Sequence, residues 1–428
     1  MPNWRRQSVF MLSERAIKLL LGFLINVAIA RHLGPEYYGL IIFAQMALIL
    51  LIHVSDLGFE IMSIKWFLEK GTNHKSLIST MLVVKLLMSF IIQCLLLVLL
   101  VYFPIIELQF IVILSVGLYF SAFNIIGKHY ETLGRGDISA TARFLGFGTS
   151  AGLRVTLIVI DAPILWFAIA MTFEFIVFAA FIGVYYYQRS GSAQWTILPH
   201  SESRSMIWQS WPLLFSSLMA TLYVSTDIYL IRLLIGSEAV GIYGAGTRFS
   251  EAWFSLLAVF SVSVFPLIVT KNSHTPNDNQ ESYMIKLYGL VVLPSIVVGS
   301  ILSIFSEDIV RFVFGAEYRG AAVVMAIHVW GAVFVGWRQM SGKLLIAKNN
   351  LRAHFFRFFT GFLCNAVLSL ILIPMIGIVG AAISSLAAHI YVGYIADFLN
   401  VKTRSQFHLK TKSLNFLKTT RFLLREFR

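Results

Sequence analysis

An all-α integral membrane protein, built of two parallel six-helix lobes, is predicted by three observations: composition, a repeated phrase and a one-sided charge distribution. The 428-residue chain is 58% hydrophobic and 13% charged, with a mean hydropathy of +0.78, whereas soluble domains carry about a quarter charged residues. Apolar stretches long enough to cross a bilayer recur from end to end. They are continuous rather than alternating, which excludes a β-barrel. The phrase Leu33-Gly34-Pro35-Glu36-Tyr37-Tyr38-Gly39-Leu40 returns as Ile235-Gly236-Ser237-Glu238-Ala239-Val240-Gly241-Ile242, an offset of 202 residues.

Twelve spans follow, at roughly 9–30, 37–57, 77–102, 105–126, 143–160 and 163–187, then 207–235, 240–268, 284–304, 320–345, 354–373 and 376–399. The first and fifth are the least apolar. The first has no small-residue cleavage site after it and reads as a retained span. Between spans two and three, Glu60 to Lys75 predicts a short interfacial helix around Trp66-Phe67. A second match, Leu133 through Phe144 against Ala347 through Phe358, links spans four to five and ten to eleven. Six spans per half give both halves one orientation, with a pseudo-twofold along the membrane normal.

The division is 1–187 for the N-terminal lobe and 188–206 for a polar, Ser- and Gly-containing linker. Residues 207–400 form the C-terminal lobe and 401–428 a basic tail. About 23 Lys and Arg fall on one side against about 4 on the other. That bias puts both termini in the cytoplasm. The tail reads as a semi-amphipathic helix on the anionic inner leaflet or as a disordered basic segment. Cys94 and Cys364 lie in separate spans and imply neither a disulfide framework nor a metal site.

Ionisable groups inside spans are functional candidates by default, because each costs several kcal/mol unless it faces protein or water. Glu14, Arg15, Lys18 and Asn26 lie on span one, Lys85 on span three, Arg154 on span five and Glu174 on span six. Tyr223 and Asp227 share a face of span seven, and Arg248 and Glu251 share one of span eight. Several of these admit a plainly structural role. Glu14 with Lys18, Arg248 with Glu251, and Arg154 with Glu174 could each neutralise one another, and Lys85 could snorkel to the inner face. His328 and His389 have no metal-ligand spacing and read as hydrogen-bonded core residues. Arg338 and Arg357 read as topology markers near the inner boundary.

Asn26 through Gly39, then Asp56-Leu57-Gly58-Phe59, resemble the start of the polysaccharide transporter (O-antigen flippase) family of the multidrug/oligosaccharidyl-lipid/polysaccharide exporter superfamily. Asn365, Leu370 through Pro374 and Gly377 through Ala382 are similar to its signature across spans eleven and twelve. The Gly-Pro-Glu segment has its own physical meaning: Gly34 and Pro35 end one helix and start the next. It is therefore a structural turn.

The resemblance implies translocation of a polyprenyl-pyrophosphate-linked oligosaccharide from the cytoplasmic to the periplasmic leaflet of a bacterial inner membrane. Spans one, two, seven and eight would line a central cavity, and the lobes would rock between inward-open and outward-open forms. Arg15, Lys18, Arg248 and Arg154 are then candidates for binding the pyrophosphate through charge-assisted hydrogen bonds. Glu14, Asn26, Asp227, Glu251, Tyr223 and Glu174 are candidates for sugar contacts or proton coupling, with Tyr223 and Trp253 offering ring faces to sugars. No cofactor or metal is expected, and a proton or sodium gradient is the candidate driving force. The partners expected are the lipid-linked oligosaccharide, the bilayer and other polysaccharide assembly proteins, with no nucleic acid.

A multidrug or cation antiporter of the same superfamily would share this fold but favour a net acidic cavity. A membrane polysaccharide polymerase or ligase would need a larger outside loop than Phe305 to Gly320, and no phosphate-binding loop occurs. The chain therefore reads as a transporter and not an enzyme.

Overall fold

The structure, a computed structural model, describes residues 4–69, 73–190, 196–274, 277–347 and 350–414. The regular structure of these residues is helical, and no strand occurs among them. The helices are α1 (Trp4–Asp56), α2 (Phe59–Leu68), α3 (His74–Tyr102), α4 (Ile106–Ser115), α5 (Gly117–Ser121), α6 (Asn124–Thr132), α7 (Gly136–Val159), α8 (Ile164–Ser190) and α9 (His200–Leu234). They continue as α10 (Ser237–His274), α11 (Asn277–Ile304), α12 (Ser306–Val313), α13 (Ala321–His328), α14 (Ala332–Ala347), α15 (Leu351–Ile376), α16 (Ile378–Ile390), α17 (Ala396–Leu399) and α18 (Arg404–Ser413).

Nine of these segments are long and apolar enough to cross a membrane. The first of them is two spans in one, because α1 is broken at Gly34, where φ is 75° and ψ 173°. Only glycine takes that conformation without strain, and Pro35 restarts the helix behind it. α7 and α10 correspond to the remaining predicted spans, so the twelve-span reading accounts for the whole set.

The chain divides into two compact units, Met1–Thr221 and Leu222–Arg428, the division falling inside α9. The first unit has a core of Phe59, Trp66, Phe67, Met81, Ile126 and Phe178, joined by Met206 from the start of α9. Trp66 and Phe67 are each only 5% exposed. The predicted short helix is present as α2, but its aromatic pair turns into this core, and Ile61, Ile64 and Leu68 are the apolar residues left exposed. The turn before it depends on Gly58, at φ 82°, where an added Cβ would lie 2.5 Å from the Ser210 carbonyl.

Parts of the predicted linker are held down. Thr196 hydrogen-bonds Ser76 at 2.8 Å, and the Leu198 amide donates to Thr80 at 2.9 Å. Residues 191–195 of the linker lie outside the described residues.

The second unit is centred on Tyr288, Val291, Trp337 and Met340. Leu409 of α18 belongs to that core, and Gln406, Lys410 and Ser413 are buried beside it. One face of α18 is thus packed into protein. Residues 415–428 of the tail lie outside the described residues.

Candidate functional site

Two clusters of charge inside the spans stand out, one in each unit. In the first unit, Lys18 of α1 donates to Glu174 of α8, with side-chain exposures of 36% and 27%. The Lys18 ammonium lies 5.3 Å from the centre of the Phe147 ring. On the same ring, the Arg154 guanidinium lies at 5.9 Å. Both contacts fall within cation–π range. Arg154 is buried and donates to the Ser150 carbonyl at 3.2 Å. Two cations and one carboxylate thus surround Phe147, which α7 supplies between Arg143 and Arg154.

Pairing corrects two sequence expectations here. Glu14 and Lys18 do not neutralise each other: Glu14 sits 4.0 Å from Arg143, which bonds Glu131 at 3.0 Å. Arg154 does not take Glu174 as its hydrogen-bonded partner, because Lys18 does. Helical spacing along α1 places Glu14 and Lys18 near each other, but neighbours on α7 and α8 offer closer charges. Glu14 is buried with Oε2 lacking a hydrogen-bond partner. Asn26 turns its amide back to the Gly22 carbonyl at 2.7 Å, while its Oδ1 is buried and unbonded. The side chain of Arg15 lies outside the described residues.

Lys85 is also placed differently from a snorkelling side chain. It donates to Asp56 at 2.7 Å, with side-chain exposures of 2% and 9%. Asp56 accepts the Glu60 amide as well, at 3.1 Å. This pair is a closed link between the end of the second span, α2 and α3.

In the second unit the centre is Asp227 of α9, only 2% exposed. Tyr243 of α10 donates to it at 2.8 Å and Ser369 of α15 at 3.3 Å. Asn365 of α15 and Ser385 of α16 stand beside this carboxylate, and the Asn365 amide donates to the Tyr223 carbonyl at 3.3 Å. Ser369 also donates to Asn365, four residues earlier on the same helix, at 3.2 Å. Three helices, α10, α15 and α16, therefore bring neutral oxygen- and nitrogen-bearing groups to a single carboxylate on α9. Such a carboxylate can exchange a proton or hold a small cation without disturbing a cation of the protein.

Beside it runs an aromatic and imidazole chain. Tyr223 hydrogen-bonds His389 Nδ1, the His389 and His328 rings lie 5.4 Å apart, and His328 Nδ1 meets Ser250 at 2.6 Å. The core-histidine reading holds for both. Tyr223 is 1% exposed, so its ring offers no face to a sugar in this structure, contrary to the expectation. Trp253 is half-buried and donates to Ser295 at 3.3 Å. Arg248 and Glu251 do form the expected ion pair, at 3.4 Å, with side-chain exposures of 19% and 38%.

Sequence reasoning passed over Arg338. Its guanidinium stacks over Tyr223 at 5.5 Å and Phe358 at 5.4 Å, with Nε buried and without a hydrogen-bond partner. Only its position near the inner boundary was visible in sequence, and that suggested a topology marker. The partners of Asp227 carried a weak signal, the four-residue spacing of Asn365 and Ser369. Among the described residues, no group of three His, Cys, Asp or Glu side chains is arranged to hold a metal ion.

Known proteins fall in line with this architecture. The fold superposes on the lipid II flippase MurJ in an inward closed conformation with a TM-score of 0.74 at 17% identity, covering 95% of this chain and 91% of that one. It superposes on a multidrug resistance MATE family transporter of the MOP superfamily, in an inward-facing conformation, with a TM-score of 0.73 at 12% identity, covering 95% and 99%. At these identities the likeness establishes a shared fold.

In sequence, a 196-residue stretch covering 44% of this chain is 24% identical to the probable low-salt glycan biosynthesis flippase Agl15 of Haloferax volcanii. The match spans 41% of that relative's length. Residues 5–272 match the family model described as polysaccharide biosynthesis protein. That match covers more than half of the chain, and the chain belongs to the polysaccharide biosynthesis protein family.

Proposed function

We propose that this chain is a flippase that moves a polyprenyl-pyrophosphate-linked oligosaccharide, an O-antigen or related surface-polysaccharide repeat unit, across a bacterial inner membrane. The cargo enters from the cytoplasmic leaflet and leaves from the periplasmic one by alternating access, with both termini of the chain cytoplasmic. Sugars and pyrophosphate cannot cross hydrocarbon unaided, whereas the polyprenyl tail stays in the bilayer.

The observation that carries this reading is the cationic excess around Phe147. Lys18 and Arg154 both lie within cation–π range of the Phe147 ring, and Lys18 carries the carboxylate of Glu174. A pyrophosphate can displace Glu174 from the half-exposed Lys18 and gain charge-assisted hydrogen bonds. The Arg248–Glu251 pair offers a second exchange of the same kind. In this reading no cofactor is needed. Asp227 supplies the coupling site for a proton or sodium ion, because its hydrogen-bonding shell is made only of neutral groups.

The test is transport by the purified full chain in vesicles, using a short-chain polyprenyl-pyrophosphate oligosaccharide and, separately, a cationic dye. Movement of the pyrophosphate cargo, dependent on an imposed proton or sodium gradient, is expected. Movement of the dye with no movement of the cargo would replace the proposal with the multidrug antiporter reading.

A further inference from the structure

The second unit contains a cavity of 440 Å³ that belongs to neither cluster described above. It is bounded by α15, the end of the last span and the link into α18, with Arg357, Thr360, Tyr391, Asn400, Lys402 and Phe356 on its walls. Arg357 is 5% exposed and forms an ion pair with Asp397, which is 0% exposed. The same Asp397 also takes Lys410 of α18, at 2.6 Å. Lys410 is itself 0% exposed and reaches the Gly393 carbonyl at 2.7 Å and Ser341 at 3.1 Å. Two buried cations therefore share one carboxylate, and Lys402 adds a third positive charge at the exposed rim of the cavity.

Local backbone structure makes this arrangement possible. Residues Tyr391–Ile395 form a π-helical turn, a widening that recurs at functional positions. It lets the Gly393 carbonyl accept from Lys410 as well. Arg357 lines the cavity while two of its nitrogens are engaged, one by Ser341 at 2.9 Å and another by Asp397. An uncompensated charge in such surroundings is costly unless a counter-charge arrives.

The surroundings of the cavity are apolar and open. Phe356 is 57% exposed, Leu399 59% and Val401 78%. The most apolar stretch of α15 is only 22% buried. An exposed apolar flank at the end of a membrane span, beside a cationic hollow, has the chemistry of a lipid headgroup seat: phosphate to the cations, acyl chains along the helix.

We propose that this cavity binds the phosphoryl group of an anionic membrane lipid, with Arg357 and Lys402 as its ligands. The bound lipid holds α18 against the second unit by balancing the positive charge shared by Arg357 and Lys410. The site is distinct from the cargo cluster around Phe147 and does not depend on the identity of the cargo.

The experiment uses the purified full chain in detergent and reads bound lipid by native mass spectrometry and the thermal unfolding midpoint. Three additions are compared: phosphatidylglycerol, phosphatidylcholine and inorganic phosphate. Phosphatidylglycerol is expected to be retained and to raise the midpoint, and the other two are not. Lys402→Glu should weaken phosphatidylglycerol retention by about tenfold, the scale of one charged hydrogen bond. Arg357→Gln opens a buried ion pair and is expected to impair folding, so the exposed Lys402 carries the decisive variant. Equal retention of phosphatidylcholine, or full retention by Lys402→Glu, overturns the site. A midpoint raised as far by inorganic phosphate alone overturns the lipid as its occupant.

Discussion

The cluster around Lys18 and the cluster around Asp227 sit in corresponding halves of a duplicated chain, yet they solve opposite electrostatic problems. Lys18 and Glu174 are about a third exposed, and their partners are other charges and a ring face. Asp227 is sealed, and its partners are the hydroxyls of Tyr243 and Ser369, with Asn365 and Ser385 beside it. An ion pair with access to water can trade one anion for another. A sealed carboxylate with neutral ligands suits something the size of a proton or a bare cation. Under the proposed function, the first arrangement is the one to take a headgroup and the second the one to take a coupling ion.

A third pair shows what a merely structural charge looks like. Lys85 and Asp56 are almost entirely buried and satisfied by each other. Lys85→Met should therefore give the largest effect on stability, a loss of about 3–5 kcal/mol, because it strands a buried carboxylate. The double variant Asp56→Leu/Lys85→Met should recover most of that loss and retain transport. Thermal unfolding in detergent with a parallel vesicle assay checks both, and a folded double variant that cannot transport would move this pair into the functional set.

Next in size is Asp227→Asn. The amide keeps the shape but cannot change charge, so cargo movement is expected to fall about 100-fold, equivalent to about 2.7 kcal/mol. What remains should be indifferent to the imposed gradient. Gradient dependence surviving in the variant would break the contrast drawn above and remove Asp227 as the coupling group.

Lys18→Ala should act on the other side of the comparison. Loss of one charged hydrogen bond predicts about a tenfold rise in the cargo concentration needed for half-maximal transport. The response to the gradient should be unaltered. If Lys18→Ala instead abolished gradient dependence while leaving cargo affinity intact, the two clusters would have exchanged roles.

The sequence made the spans legible because continuous apolar runs and the bias of Lys and Arg are one-dimensional signals. The turn at Gly34 was legible for the same reason: glycine and proline act on the backbone where they stand. Pairing was not. Glu14 and Lys18 are four residues apart, but the first meets Arg143 and the second Glu174, partners fixed by how α1, α7 and α8 pack. Trp66 and Phe67 looked like interfacial anchors because an aromatic pair in a short polar-flanked segment suits either a membrane surface or a core. Helical periodicity cannot name which neighbour covers a face. Arg338 illustrates the same gap, since stacking on Tyr223 and Phe358 brings together three separate helices.

The mildest probe sets Lys410 against Lys18, a sealed cation against a half-open one. Burial lowers the Lys410 ammonium from its ordinary 10.5 to about 8, although Asp397 beside it opposes the shift. Between those values the folded chain releases this proton while the unfolded chain still binds it. Stability contributed by this group therefore rises with pH across that window, and is lost again as pH falls through about 8. The unfolding midpoint of the detergent-purified chain, followed from neutral pH to the upper end of the window, should carry this upward component. Lys410→Met should remove it, and bound anionic lipid should reduce it by supporting the charged form. A wild-type midpoint advantage over Lys410→Met that is largest at low pH and narrows as pH rises would reverse the sign. In that case Lys410 would gain more from Asp397 than it loses by burial, and α18 would be held by the ion pair alone.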